Sequence, residues 1–162
     1  MKALKMVGIQ YAALPYRFER RQLQVLLITS RGTRRWVIPK GWPMRGLKPQ
    51  DAAAAEAAEE AGVVGVVEDK PVGSYRYLKQ LSDEASVAVQ VIVFPMLVQA
   101  QADDWKEQGQ RRIAWFRCQE AASLVAEPAL RHILRDFGAD RSPGLLAHGL
   151  RTYRSWRIGA RG

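Results

Sequence analysis

Three glutamates, Glu56, Glu59 and Glu60, form the most chemically suggestive pattern in the sequence. They are spaced i, i+3 and i+4 in an alanine-rich segment, so a helix would place their carboxylates on neighbouring positions of one face. Each like-charged pair destabilises a helix by roughly 0.2–0.5 kcal/mol, and residues 49–61 contain no lysine or arginine to offset this. Mg²⁺ or Mn²⁺ would offset it, because both prefer carboxylate oxygens. The alternative interpretation is a solvated acidic face without a ligand.

The segment before these glutamates is strongly basic. Residues 17–48 hold one acid, Glu19, and nine basic residues: Arg17, Arg20, Arg21, Arg31, Arg34, Arg35, Lys40, Arg45 and Lys48. Clustered cations next to carboxylates suit a site in which a metal and basic side chains hold one polyphosphate. The candidate substrate-binding residues are Arg34, Arg35, Lys40, Arg45, Lys48 and, further along the chain, Arg76, with Lys79 beside it. The alternative is that some of these side chains only solubilise the surface.

Length and composition limit the class of protein. A chain of 162 residues fits one domain, and 48% hydrophobic with 25% charged residues is typical of a globular protein. The single cysteine, Cys118, excludes a disulfide framework. The sequence holds no long apolar run and no recognisable signal peptide, so we expect a soluble cytoplasmic protein without membrane contact. A net charge of +9 indicates polyanionic partners without choosing among them.

The elements that would position the glutamates alternate between strand-like and helix-like segments. Residues 49–61 are the clearest helix, because Pro49 suits a first helical position and Gly62 suits the residue after the last turn. Loops are predicted at residues 40–43 and 103–110. The predicted strands are 6–14, 22–30, 35–39, 63–67, 73–81, 85–100 and 112–117, and the further helices are 119–125 and 128–137.

The composition of the chain changes after Phe137, and this suggests an appended tail. We predict one α/β domain over residues 1–137 and a basic tail over residues 138–162. The tail interleaves arginines with Tyr153 and Trp156, a composition typical of nucleic-acid contacts. The alternative is an extension that contacts no nucleic acid.

The residues from Gly41 to Val63 also carry a family resemblance. Gly41 opens a pattern that Glu56, Ala57, Glu59, Glu60, Gly62 and Val63 complete at the correct spacing, and this pattern resembles the signature of the Nudix hydrolases. The preceding residues 38–41, Ile-Pro-Lys-Gly, resemble the branch that hydrolyses diadenosine polyphosphates and diphosphoinositol polyphosphates. The resemblance covers roughly residues 6–137. It implies a Nudix-like α/β/α sandwich with a mixed sheet and an acidic loop–helix motif.

The resemblance further implies a metal-dependent hydrolase that cleaves a phosphoanhydride bond. Glu56 and Glu60 would hold Mg²⁺ or Mn²⁺, Glu59 would be a further ligand, and a backbone carbonyl at Lys40 or Gly41 would complete the metal site. The catalytic residues would thus be Glu56, Glu59 and Glu60. A carboxylate would accept the proton of the attacking water, with Glu59 and Glu107 as the two candidates. The expected substrate is a small anionic polyphosphate, and the oligomeric state is left open.

Two positions depart from the family pattern. Leu47 stands where the family has its first glutamate, and Ala55 where it has its arginine. In the family this charged pair braces the loop against the helix, and its loss as a pair leaves no unpaired charge. One alternative that follows from this loss is a catalytically weak module that binds nucleic acid through its basic surface and tail. A second alternative is an RNA 5′ pyrophosphohydrolase, which would use both the metal site and the basic surface.

Overall fold

The computed structural model describes residues 6–141 of the chain, with side chains from residue 8 onward. Within this range the backbone forms eight strands and three helices. The strands are β1 Met6–Glu19, β2 Gln22–Thr29, β3 Trp36–Val37, β4 Lys40–Gly41, β5 Val63–Val67, β6 Gly73–Ser82, β7 Ala85–Gln101 and β8 Ile113–Arg117. The helices are α1 Pro49–Ala61, α2 Cys118–Leu124 and α3 Pro128–Arg141.

The strands form one mixed sheet around two long central strands. β1 and β7 run parallel, with Ala12 opposite Val93, and the other strand pairs are antiparallel. β2 and β4 both pair with β1, while β5 and β6 both pair with β7. The expectation of a mixed sheet is therefore confirmed.

The helices cover both faces of this sheet. Because successive strand residues point to opposite faces, Ala13 packs in a core with Ala53 and Ala57 of α1. Its neighbour Leu14 packs in a second core, which holds Leu134 of α3 and residues of α2. The predicted α/β/α sandwich is confirmed, and α1 lies over β1 and β4.

Helix α1 has the predicted bounds. Pro49 occupies the first turn, and Gly62 ends the helix in a left-handed conformation (φ 70°), donating its N–H to the Ala58 carbonyl. The buried face consists of alanines and one glutamate: Ala52, Ala53, Ala57, Glu60 and Ala61. Small side chains let the helix lie close to the sheet, and this carries the Glu60 carboxylate into the interior.

Four sequence-based boundaries are wrong by more than one residue. The strand predicted over residues 35–39 is only the two-residue β3, Trp36–Val37. Strand β1 continues beyond Leu14 to Glu19, and Lys40–Gly41, predicted to be a loop, forms strand β4. Helix α3 continues beyond Phe137 to Arg141, so the first four residues of the predicted tail are helical. The rest of that tail, residues 142–162, lies outside the described residues.

Candidate active site

Strand β4 brings the loop before α1 onto the acidic helix. It pairs with β1 through Tyr11 opposite Gly41 and Ala12 opposite Lys40. Since α1 packs over the same part of β1, the Lys40 backbone N–H comes within hydrogen-bonding distance of Glu60 and donates to its Oε2 at 3.3 Å. The loop and the helix of the predicted motif are therefore joined at Glu60.

Gly41 is in direct contact with the second carboxylate of the motif. A Cβ atom at Gly41 would lie 2.1 Å from Oε1 and 2.2 Å from Cδ of Glu56. Only a glycine leaves room for the Glu56 carboxylate at this position. The structure thus unites four predicted site residues, Lys40, Gly41, Glu56 and Glu60, in one place.

The two carboxylates repel one another in a partly desolvated setting. Burial raises the pKa of Glu60 to about 8, with Glu56 and Glu107 adding to the rise and Arg111 and Lys40 opposing it. The pKa of Glu56 is also raised, first by burial and then by the negative charge of Glu59, while a hydrogen bond with Glu60 lowers it. Both pKa shifts mean that the surroundings of Glu56 and Glu60 stabilise their charged forms less well than water does.

Glu59 lies at the exposed edge of the cluster. Its Oε2 is 3.7 Å from Nζ of Lys106, and its side chain is 41% exposed. Its backbone carbonyl accepts the N–H of Glu107 at 3.0 Å, which anchors the loop after β7 to α1. Both candidates for the general base, Glu59 and Glu107, therefore lie beside the cluster, and Glu107 is the more buried, with 13% of its side chain exposed.

A buried arginine completes the cluster. Nη2 of Arg111 lies 3.7 Å from Oε1 of Glu60, and Nε lies 3.5 Å from Oε2 of Glu107. The sequence analysis did not single out Arg111, because it belongs to no motif and no periodic pattern. Among the described residues it is the cation that faces Glu60 and Glu107 together.

The donor set fits a hard divalent cation. Among residues 6–141, no three His, Cys, Asp or Glu side chains are grouped so that they could hold a metal ion as they stand. The chemistry is nevertheless suitable, because Glu56 and Glu60 offer carboxylate oxygens. The Glu56 carboxylate occupies the space beside Gly41 that a side chain at this position would fill. Glu56 and Glu60 are therefore the residues that would hold the ion, with Glu59 and Glu107 beside them.

The predicted substrate-binding cations are not all brought together. Lys40 is closest to the carboxylates, and burial lowers its pKa while Glu60 and Glu127 raise it. Arg35 binds Oε1 of Glu127 at 3.3 Å, and Arg34 donates to the Gln110 carbonyl at 3.4 Å. The other predicted cations, Arg45, Lys48 and Arg76, are exposed.

The pleat of β6 separates Arg76 from the site. Nζ of Lys40 lies 4.9 Å from the centre of the Tyr77 ring, so Tyr77 faces the site. Tyr75 and Lys79 share that face, whereas Arg76 points to the opposite one. Lys79 acts electrostatically on Lys40 and is the better candidate of the two basic residues on β6.

The aromatic residues that could stack on a base differ in access. Tyr75 is 3% exposed, and Trp36 packs edge-on against Phe116 at 5.1 Å. Tyr75 therefore belongs to the core, and Trp36 packs against the core from a partly buried position. Trp42 is 41% exposed, lies directly after β4 and contacts Gly8, which makes it the aromatic ring available beside the loop.

The positions that depart from the family pattern make no charged brace. The Leu47 side chain is 46% exposed, and the Leu47 N–H donates to the Met44 carbonyl. Ala55 is half-buried on α1. The connection between loop and helix is carried instead by the contacts of Lys40 with Glu60 and of Gly41 with Glu56.

Comparison with known proteins identifies the family. The NUDIX domain model matches residues 9–137, so the chain belongs to the Nudix family. It is 32% identical to Nudix hydrolase 13, mitochondrial, of Arabidopsis thaliana over 72% of this chain and 60% of that protein. It is 29% identical to diphosphoinositol polyphosphate phosphohydrolase 3-alpha of Mus musculus over 70% of this chain and 66% of that protein. The chain thus spans about 60% of the length of the first curated relatives that it matches.

Solved structures confirm the fold. A binary complex of the Ap4A hydrolase of C. elegans has a TM-score of 0.61 and 18% identity, covering 82% of this chain and 96% of that chain. At this identity the likeness concerns the architecture alone. Nudix hydrolases generally use divalent metal ions. No helix among residues 6–141 is long and apolar enough to cross a membrane.

Proposed function

We propose that this Nudix protein is a metal-dependent hydrolase that cleaves a phosphoanhydride bond in a small polyphosphorylated substrate. The observation that carries the proposal is the junction of loop and helix. Gly41 is in contact with the Glu56 carboxylate, and the Lys40 N–H donates to Glu60. This junction gathers carboxylates in a partly buried cluster whose mutual repulsion a divalent cation would offset.

Each group of the cluster has a distinct role in the proposed reaction. When bound at Glu56 and Glu60, Mg²⁺ or Mn²⁺ would neutralise phosphate oxygens and lower the pKa of a water toward neutrality. A side-chain oxygen of Glu59 or Glu107 would accept the proton of the attacking water. Lys40 and Arg35 would bind phosphate oxygens, because Glu127, the partner of Arg35, also acts electrostatically on Lys40.

The proposed substrate class is the diadenosine polyphosphates or the diphosphoinositol polyphosphates. Several cations surround the carboxylate cluster, namely Arg31, Lys40, Lys106 and Arg111, and this number favours a substrate with many phosphates. The name of one relative supports the second class, since that relative is a diphosphoinositol polyphosphate phosphohydrolase.

A product-resolved screen of the full chain tests the proposal. Purified protein would be incubated with Mg²⁺ or Mn²⁺ and with dinucleoside polyphosphates, nucleoside triphosphates, diphosphoinositols or triphosphorylated RNA. We expect cleavage of a dinucleoside polyphosphate or a diphosphoinositol that stops in excess chelator. Preferential cleavage of triphosphorylated RNA would instead assign the RNA 5′ pyrophosphohydrolase activity, and no cleavage at all would refute the enzyme assignment.

Two variants test the metal ligands in the same assay. Glu56→Gln and Glu60→Gln should each lower kcat at least about 100-fold, because each removes a carboxylate from the ion. Both should fold, since each change relieves repulsion within the cluster. Glu120→Gln is the matched control, because Glu120 is an exposed glutamate on α2 and lies on another element. Full turnover by Glu60→Gln would refute the ligand assignment.

A further inference from the structure

Arg111 is a buried cation with no role in the family pattern described above. Its side chain is 9% exposed and lies at the end of the loop between β7 and β8. Burying a guanidinium costs several kcal/mol unless the group is paired and hydrogen-bonded. The partners of Arg111 therefore show which part of the structure depends on it.

Those partners belong to three different segments. Nη1 donates to the Thr29 carbonyl at 3.0 Å, at the end of β2. Nη2 lies 3.7 Å from Oε1 of Glu60 on α1, and Nε lies 3.5 Å from Oε2 of Glu107 in the loop. One guanidinium thus connects the sheet, the acidic helix and the loop that carries a candidate general base.

The backbone beside Arg111 is itself held in place. The Arg112 N–H donates to Oγ1 of Thr29 at 2.9 Å, and the Thr29 N–H donates to the Arg112 carbonyl at 3.0 Å. These bonds fix the start of β8 against the end of β2. The guanidinium therefore approaches the two carboxylates from a rigid base on the sheet.

We propose that Arg111 is the positioning residue of this site, orienting Glu60 and Glu107 toward the cation and the substrate. Arg111, from the β7–β8 loop, would take over the bracing role that the family's charged pair has at the positions of Leu47 and Ala55. The inference rests on the proposed function, because it assumes that the carboxylate cluster binds a divalent cation. Groups that orient metal ligands typically change metal affinity or activity by about 10- to 100-fold when they are removed.

A competing role predicts a result of the opposite sign. If Arg111 only neutralised the carboxylates in place of a metal, its removal would increase the negative charge of the site and tighten cation binding. If it positions Glu60 and Glu107, its removal leaves two carboxylates that repel each other without a fixed geometry, and cation binding weakens. The direction of the change in affinity therefore separates the two roles.

The test measures Mn²⁺ binding to the full chain by electron paramagnetic resonance of the free ion. Arg111→Met removes the charge and keeps an unbranched side chain, and Arg111→Lys keeps the charge but loses the planar fork. Arg112→Met is the matched control, because Arg112 is the exposed neighbour whose guanidinium lies over the Trp36 ring at 5.4 Å. Thermal melts confirm that each variant is folded at the temperature of the measurement.

We expect Arg111→Met to raise the Mn²⁺ dissociation constant at least about tenfold, Arg111→Lys to give an intermediate value and Arg112→Met to match the wild type. In turnover with Mg²⁺, kcat should fall at least about tenfold for Arg111→Met while KM changes less, because the altered groups are carboxylates rather than substrate-binding cations. If Arg111→Met does not fold, Arg111→Lys decides the matter, and wild-type affinity in that variant would overturn the proposal.

Two further outcomes are distinguishable. Unchanged or tighter Mn²⁺ binding by folded Arg111→Met overturns the positioning role but leaves the proposed function intact. Absence of Mn²⁺ binding by the wild-type protein overturns the proposed function and this inference with it.

Discussion

Replacing Gly41 by alanine would separate the geometry of the site from the stability of the fold. The added Cβ would lie 2.1 Å from Oε1 of Glu56, whereas ordinary van der Waals contact begins at 3.4 Å. The carboxylate must therefore move by more than 1 Å. Displacements of about 1 Å at a reacting site can lower the rate by about 100-fold, so we expect kcat of Gly41→Ala to fall by that order.

The fold should tolerate the same substitution. The atoms that the new methyl group meets form the far end of the flexible, half-buried Glu56 side chain, and this end can swing away. Alanine also restricts the unfolded chain, which stabilises a protein by about 0.4–1 kcal/mol where the backbone is compatible. Denaturant melts should therefore show a midpoint equal to or slightly above that of the wild type.

The assay combines Mg²⁺-dependent turnover with Mn²⁺ binding, and Gly32→Ala is its control. A Cβ at Gly32 would meet no atom within 4 Å, so that variant should behave as wild type. Wild-type kcat in Gly41→Ala would refute the reasoning, because it would mean that the position of the Glu56 carboxylate against β4 does not matter for catalysis.

The remaining predictions concern pH and the end of α3. In metal-free protein the pKa of Glu60 is raised from 4.5 to about 8, so the folded state favours the protonated carboxyl. The stability that this group contributes should therefore be fully present below pH 4.5 and lost as the pH rises through about 8. The free energy of unfolding should fall by at most about 1.4 kcal/mol per pH unit. Melts in chelator at pH 5.5 and 8.5 should show this fall and a flatter profile for Glu60→Gln; a rise with pH in the wild type would contradict it. Arg141 donates to both Glu68 carboxylate oxygens, at 2.5 and 2.7 Å. Arg141→Met, or truncation after Gly138, should therefore lower the free energy of unfolding by about 1 kcal/mol, since the pair is partly exposed. A chain truncated after Arg141 keeps this pair and should therefore be more stable in urea melts than the chain truncated after Gly138, whereas the exposed control Arg135→Met should match the wild type. Equal stability of the two truncated chains would disprove the role of Arg141.

Local signals in the sequence predicted most elements because the tertiary structure agrees with them. Helix α1 has the bounds that Pro49 and Gly62 indicate. The predicted end of α3 at Phe137 is wrong, because Gly138 lies within the helix and does not end it as Gly62 ends α1. A Cβ there would lie 2.7 Å from Cβ of Cys118, so this glycine permits close packing of α3 on α2. A single sequence does not distinguish these two uses of glycine.

Strand β1 shows a similar limit. The sequence predicted an end at Leu14, before the polar residues 17–21 that separate the first two strands. The structure continues to Glu19, since Tyr16 and the following residues pair with β2 while Pro15 lies opposite Met96 of β7. Which neighbour a strand has on each side depends on the whole sheet, and therefore lies beyond a local pattern.

The site residues likewise differ in whether a local sequence pattern or the tertiary structure places them. Glu56, Glu60, Lys40 and Gly41 were predictable because a helix period and a short motif place them together. Arg111 was not, because its contacts with Glu60 and Glu107 depend on how the β7–β8 loop folds back over α1. Arg76 was a candidate by its charge alone, and the register of β6 turns it to the other face.

The electrostatics of α1 explain why the site depends on distant parts of the chain. The helix carries three neighbouring glutamates and no basic residue in its last turn, where the helix dipole also disfavours anions. Its compensating cations all come from elsewhere: Lys40 from β4, and Lys106 and Arg111 from the loop before β8. The same contacts that offset the repulsion therefore fix where the carboxylates point. A change that loosens the β7–β8 loop should consequently affect cation binding before it affects the core, because the alanine face of α1 packs on the sheet independently of that loop.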